Sequence, residues 1–233
     1  MPQSFIVEHA VPPATDPGPS LQNPFCLRYN LDGTMLARQG AMVAYRGDLT
    51  FRTKGQGARK LLKRAVTGEG LALMEVAGKG EIWLADLAKN VFVLPGSGLS
   101  ISGKSVLCFD STLQYEIKRV KGAGMDAGGL FNCAFSGDGS IAVTSDGQPI
   151  VLPVTPDAPV LVDTDAVIGW TELLETSIHR SQGVKSILKG GSGEMFQLQL
   201  QGEGYVIVQP SEGPLDSGKG GGVADTIGEI LTG

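Results

Sequence analysis

The side chains able to act as nucleophiles or metal ligands are few and scattered. The chain has two histidines, His9 and His179, and three cysteines, Cys26, Cys108 and Cys133. Zinc sites use Cys and His at short fixed spacings such as CxxC or HExxH, and the sequence contains none of these. An odd number of dispersed cysteines predicts free thiols in a reducing cytoplasm. We therefore expect no catalytic residue, no metal, no cofactor and no enzymatic activity.

One segment formally matches the phosphate-binding pattern GxxxxGK[ST], reading Gly98-Leu-Ser-Ile-Ser-Gly-Lys-Ser105. A P-loop needs small residues whose amides surround the phosphate, and a helix that begins at the Lys-Ser pair. Here Leu99 and Ile101 alternate with serines, as in a strand, and the β-prone residues 106–109 follow. We interpret the match as a strand and a turn, without a nucleotide site.

The strongest charge feature is a basic segment of six cations in thirteen residues with no acid, although the whole chain has a net charge of −5. These cations are Arg52, Lys54, Arg59, Lys60, Lys63 and Arg64. One interpretation is a solvated basic face. The other is a patch for an acidic protein or an anionic membrane surface. Nucleic acid ranks below both, because Phe51 is the one nearby aromatic residue for base stacking.

Composition indicates a soluble protein made of many short strands. Of 233 residues 34 are glycine, about twice the usual share, and turns between strands account for them best. The N-terminus lacks the basic start and apolar core of a signal peptide, and no stretch approaches the roughly 20 apolar residues of a membrane span. We expect a cytoplasmic protein.

A strand–turn–strand block occurs three times, at residues 35–45, 99–109 and 160–170. Aligning Val43, Val106 and Val167 gives spacings of 63 residues (43 to 106) and 61 residues (106 to 167). A nearly constant period indicates a repeated supersecondary unit. Between the blocks lie glycine-rich turns, which predict β-hairpins. These turns are residues 68–70, 78–80, 137–139, 146–147, 193–194 and 202–204.

These features predict an all-β fold, a closed, internally repeated β-sandwich of pseudo-threefold character with paired N- and C-terminal strands. Closure would protect strand edges from aggregation. We divide the chain into a proline-rich arm (1–24), one repeated β domain (25–210), and a glycine-rich linker with a short amphipathic helix (211–233). Residues 57–64 could form two further helical turns. The predicted core is Leu36, Met42, Val43, Leu73, Ile82, Leu84, Val106, Ile141, Val143, Ile150, Leu152, Val167, Ile168, Val206 and Val208.

Several of these motifs together resemble one family. They are Gly40-Ala-Met-Val-Ala-Tyr45, the Leu61-Leu62…Thr67-Gly-Glu-Gly70 turn, Ala127-Gly-Gly-Leu-Phe131 and the glycine-linked C-terminal helix. Over roughly residues 23–233 the chain resembles bacterial members of the altered-inheritance-of-mitochondria protein 24 family. The resemblance implies a double-stranded β-helix-like sandwich, similar to the tryptophan RNA-binding attenuation protein, and homo-oligomers. It supplies no catalytic residues.

The function expected from the sequence is a non-enzymatic, homo-oligomeric scaffold or binding module, with an anionic surface as a further docking partner. The alternative is a small-molecule-binding protein with a cavity in or between the β units.

Overall fold

The computed structural model describes residues 10–53, 71–120, 131–180 and 196–211. These residues form sixteen strands and no helix, which confirms the all-β prediction. The predicted helices at 57–64 and within 211–233 lie outside the described ranges. In chain order the strands are β1 (Gly18–Asn23), β2 (Cys26–Arg38), β3 (Met42–Thr53), β4 (Leu73–Leu84), β5 (Asn90–Pro95), β6 (Leu99–Ser102), β7 (Val106–Asp110), β8 (Gln114–Arg119), β9 (Phe131–Ser136), β10 (Ser140–Ser145), β11 (Ile150–Val154), β12 (Val160–Asp163), β13 (Val167–Thr171), β14 (Glu175–Arg180), β15 (Phe196–Gln201) and β16 (Gly204–Val208).

The strands form three antiparallel sheets, and all three are open. One sheet has the order β3-β4-β2-β7-β10-β5, with β1 added to β2; the second is β11-β16-β13-β6-β9-β8; the third is β12-β15-β14. The predicted closure is therefore wrong among the described residues. The predicted pairing of terminal strands also fails, because both edges of β16 are occupied by β11 and β13, while β1 pairs with β2.

Strands β2, β3 and β4 are long and pass through glycines, among them the predicted turn at 78–80. Gly33 pairs with Gly78, and Gly47 pairs with Gly80. A Cβ on Gly78 would lie 2.0 Å from the carbonyl oxygen of Asp48, and one on Gly80 would lie 2.3 Å from that of Arg46. The predicted hairpin at 78–80 is thus a bend inside β4, where the backbones approach too closely for any side chain.

The other described glycine turns lie where the sequence predicts them, but they are not hairpins. The turn at 137–139 joins β9 in the second sheet to β10 in the first, and the turn at 202–204 joins β15 in the third sheet to β16 in the second. Residues 146–149 likewise connect two sheets. Positive φ at Gly137 (107°) and Gly202 (121°) lets the chain pass from one sheet to another.

The core prediction is largely confirmed. Eleven of its fifteen residues are buried: Leu36, Leu73, Ile82, Leu84, Val106, Ile141, Val143, Val167, Ile168, Val206 and Val208. Leu152 is half-buried. Met42, Val43 and Ile150 are exposed, because β3 and β11 are the end strands of their sheets and have no neighbour on one side among the described residues.

The same pairing arrangement recurs along the chain. A middle strand lies between two others in β2-β4-β3, in β5-β10-β7 and in β11-β16-β13. The triplets β6-β9-β8 and β12-β15-β14 have the same order. Two further pairs, β2–β7 and β6–β13, link these groups.

Candidate binding sites

Of the six cations in the predicted basic segment, Arg52 is the one that lies within the described part of the chain. This residue is exposed near the end of β3 and pairs in register with Glu75 on β4. Lys54, Arg59, Lys60, Lys63 and Arg64 lie outside the described residues. The described structure therefore does not test whether these six cations lie together on one surface.

The P-loop-like segment is built from strands, as the sequence indicated. Leu99–Ser102 is β6, residues 103–105 form a turn, and β7 begins at Val106. Within the turn, Lys104 Nζ lies 3.8 Å from Asp165 Oδ1. Without a helix after the glycine, the backbone amides have no arrangement for holding phosphate.

The described thiols lie in environments that suppress nucleophilic chemistry. Cys108 and Cys133 are buried in the core. Burial raises the pKa of the Cys108 thiol, and the nearby Asp110 carboxylate adds to this increase. Burial also raises the pKa of Cys26. A reactive cysteine needs the opposite change. His179 is exposed on β14, and His9 lies outside the described residues.

Two arginines share one carboxylate beside a tryptophan, in a group that we call the arginine clamp (Arg28, Arg46, Glu81 and Trp83). Arg28 Nε lies 2.7 Å from Glu81 Oε2, and an Arg46 guanidinium nitrogen lies 2.8 Å from Glu81 Oε1. Both guanidinium carbons are 5.5 Å from the Trp83 ring centroid. Burial opposes the ionisation of Glu81, but hydrogen bonds from Arg46 and Arg28 outweigh it and lower its pKa.

The arginine clamp holds the proline-rich arm against the first sheet. Arg28 donates to the carbonyl oxygen of Pro12 at 2.6 Å, and the Ala14 amide donates to Glu81 Oε1 at 3.2 Å. Farther along, residues 18–23 of the predicted arm form β1. Alternation along a strand shows which of its own residues share a face. Placing Arg28, Arg46 and Glu81 on one face of the sheet also requires the register between their strands, which the sequence pattern does not supply.

A polar cleft of about 620 Å³ lies between β6, β8, β9, β13 and the start of β14. Asn132 lines it and is 1% exposed, yet neither its Nδ2 nor its Oδ1 has a hydrogen-bond partner among the described residues. Trp170 and Leu174 add apolar surface. Lys118 and Glu172 form an ion pair at 2.6 Å on the exposed side. Sequence reasoning did not identify this cleft.

The first four residues of β3 include three large apolar side chains that are exposed to solvent. Val43 is 64% exposed, Tyr45 49% and Met42 40%. Among the described residues β3 pairs with β4 alone, so its other edge has no partner strand. The same is true of β12, which pairs with β15 alone and carries the half-exposed Leu161.

The described part of the chain contains no group of three or more His, Cys, Asp or Glu side chains placed to hold a metal ion. It also contains no helix of the length and apolar character needed to cross a membrane.

Comparison with known proteins identifies the family. An uncharacterized protein of Streptococcus pyogenes serotype M6 is 27% identical over 195 residues, which cover 75% of this chain and 76% of the relative. A crystal structure of a Streptococcus pyogenes protein matches with a TM-score of 0.64 at 20% identity, covering 91% of this chain and 96% of the other, and so shares the fold. The family described as "Mitochondrial biogenesis AIM24" matches residues 26–211. The resemblance found in the sequence is confirmed, and the chain belongs to the AIM24 family.

Proposed function

We propose that this protein is a non-enzymatic, cytoplasmic scaffold or binding module that assembles by joining the free edge of β3 in one copy to the free edge of β12 in another. The observation that carries the proposal is the β3 edge itself. It is an end strand of twelve residues with exposed apolar side chains and, among the described residues, no partner strand on one side.

The recurring strand pairing supports the choice of partner. We interpret β2–β4, β5–β10 and β11–β16 as three versions of one unit, in which the bends of β2, β3 and β4 replace turns. In this interpretation β3, β7 and β13 are equivalent, as are the second half of β2, β6 and β12. The pairs β7–β2 and β13–β6 join successive units. By the same rule, β3 of the first unit would pair with β12 of the third unit.

The burial of the equivalent strands supports the same conclusion. In β7 and in β13 the first four residues are buried, whereas the first seven residues of β3 are exposed. An exposed edge with apolar residues favours pairing with another chain. Because the contact would join two different surfaces, it forms a ring when the rotation between copies closes.

Lysine substitutions at the two edges test the assembly. Val43→Lys on β3 and Leu161→Lys on β12 both replace exposed residues, so each monomer should fold and melt normally. A lysine opposes strand pairing. We expect native mass spectrometry to detect a symmetric oligomer for the unaltered protein and monomers for each variant. Leu87→Lys is the matched control, because Leu87 is 91% exposed in a turn and belongs to neither edge strand.

Mixing the two variants makes the test specific for the proposed pairing. The Val43→Lys protein keeps an intact β12 edge, and the Leu161→Lys protein keeps an intact β3 edge. An equimolar mixture should therefore give a one-to-one dimer and nothing larger. A monomeric unaltered protein, or an oligomer that both variants retain, would contradict the proposal.

A second candidate function is small-molecule binding, and the cleft lined by Asn132 favours it. The volume of about 620 Å³ falls within the range of about 300–1,000 Å³ typical of ligand sites. Native mass spectrometry of gently purified protein tests it directly. An adduct of constant mass on each subunit is the expected result, and bare subunits that also bind no added ligand would contradict it.

A further inference from the structure

The cleft contains a buried amide that no described residue satisfies. Asn132 lies on β9, opposite Ser102 on β6 and Lys118 on β8. Its amide nitrogen and oxygen are both buried without a hydrogen-bond partner in the described part of the chain. Leaving one such group unpaired costs about 1–3 kcal/mol, and buried polar groups in proteins nearly always have partners. The exception at Asn132 therefore calls for an external partner.

Neighbouring residues show what kind of partner would fit. Antiparallel pairing places Asn132 on the same face of the sheet as Ser100 and Trp170, and all three line the cleft. These three residues supply an amide, a hydroxyl and an indole, and Lys118, the cross-strand partner of Asn132, adds a cation on the same face. Aromatic and apolar walls with a few polar groups are typical of sites for small planar ligands.

The charged residues that line the cleft argue against an anionic ligand. Lys118 is the one cation among its described lining residues, and Glu172 neutralises it at 2.6 Å. Glu175 also lines the cleft, so its charged residues sum to −1. A carboxylate or phosphate would meet no unpaired cation there.

We propose that this cleft binds a neutral, planar nitrogen heterocycle of the nucleobase type, and that Asn132 recognises an edge carrying a hydrogen-bond donor next to an acceptor. A carboxamide presents one donor and one acceptor side by side. It therefore matches an edge with the same two groups in reverse order, as Asn does with the N6 and N7 atoms of adenine. This inference rests on the second candidate function and does not depend on assembly.

Adenine and purine are suitable probes, because purine keeps the ring system but lacks the exocyclic donor. In unaltered protein, calorimetry should give one site per chain, with adenine bound about fivefold or more tightly than purine, since purine lacks one of the two hydrogen bonds to Asn132. Labelling the two tryptophans with ¹⁵N reports the location. The Trp170 indole signal should shift during the titration, whereas that of Trp83, assigned with Trp83→Phe, should not.

Two variants test the role of Asn132. Asn132→Leu removes both amide groups at similar volume and should weaken adenine binding about tenfold or more. Ser102→Ala is the matched control, because Ser102 is buried opposite Asn132 but does not line the cleft; it should leave the affinity unchanged. The comparison of adenine with purine needs no variant and applies even when Asn132→Leu does not fold.

The outcomes separate this inference from the function on which it rests. Equal affinity for adenine and purine, or binding unaffected by Asn132→Leu, would overturn recognition by Asn132 while leaving a ligand site at the cleft. The absence of any Trp170 shift with either probe at millimolar concentration would overturn the site itself.

Discussion

At the scale of single residues, the arginine clamp shows how an interaction of little net stability can fix a structure. Moving the Arg28 and Glu81 charges out of water has a large cost, which their mutual attraction and that of the half-exposed Arg46 roughly offset. Glu81 also accepts a hydrogen bond from Ala14, while Arg28 donates to Pro12. The clamp therefore helps to determine where the proline-rich arm lies on the first sheet.

Removing the charge of Glu81 should destabilise the protein in a pH-dependent way. Glu81→Gln leaves the buried Arg28 without its counter-ion, so we expect the free energy of unfolding to fall by about 2–3 kcal/mol at pH 7. Because the folded pKa of Glu81 is lowered, its contribution is complete above the ordinary value of about 4.3 and is lost as the pH falls through the folded pKa.

Urea unfolding of both proteins at pH 7 and in acid measures this effect. The difference in stability should shrink markedly at low pH. Glu116→Gln provides the control, since the Glu116 side chain is 76% exposed and its loss should change stability little. A difference that stays constant with pH would mean that the carboxylate charge of Glu81 does not matter.

At the scale of strands, the sequence predicts where the chain turns but not which sheet it enters next. Glycine beside an acidic residue marks residues 137–139 and 202–204 correctly. Whether the following strand pairs with its predecessor depends on contacts distant in sequence. Glycines that face each other inside paired strands have the same local signature, so residues 78–80 were mistaken for a turn. Apolar alternation predicted the core but could not show that β3 is an end strand.

Two glycine substitutions separate strain from steric contact within the bent strands. Gly33 and Gly78 pair with each other and have nearly the same φ, 133° and 132°. A Cβ on Gly33 meets nothing within 4 Å, whereas one on Gly78 would lie 2.0 Å from Asp48 O. Both alanine variants therefore carry similar backbone strain. Gly78→Ala should lose about 2 kcal/mol more than Gly33→Ala, because β3 must also move.

Equilibrium unfolding of the two variants under identical conditions gives the comparison. Equal losses would show that β3 adjusts to the added methyl group without cost. The strands would then be less rigidly apposed at this bend than their register suggests.

At the scale of the whole molecule, the candidate sites combine residues that no local motif connects. The cleft takes Ser100 from β6, Asn132 from β9 and Trp170 from β13, and these strands are brought together because β6 pairs with both β9 and β13. The basic segment is the opposite case, because its six charges are visible directly in the sequence. Assembly would add a property that a single chain lacks: each further copy contributes another basic segment to the same oligomer.

Binding to anionic vesicles should therefore depend on both charge and assembly. Unaltered protein should sediment with vesicles of phosphatidylserine and phosphatidylcholine, and much less with phosphatidylcholine alone or at high salt. Lys60→Glu with Lys63→Glu should abolish binding. Lys79→Glu with Lys104→Glu makes the same charge change at exposed sites outside the segment. This protein should retain most of the vesicle binding.

The edge variant Val43→Lys makes the role of assembly visible. It adds a positive charge, so a purely electrostatic attraction would become stronger. If binding relies on several copies acting together, the monomeric variant should bind more weakly despite the added charge, because the gain in effective concentration is lost. If the Val43→Lys monomer binds vesicles as strongly as the unaltered oligomer, or more strongly, then one basic segment is sufficient for binding. Equal binding by the Lys60→Glu, Lys63→Glu protein would instead remove the basic segment from the function.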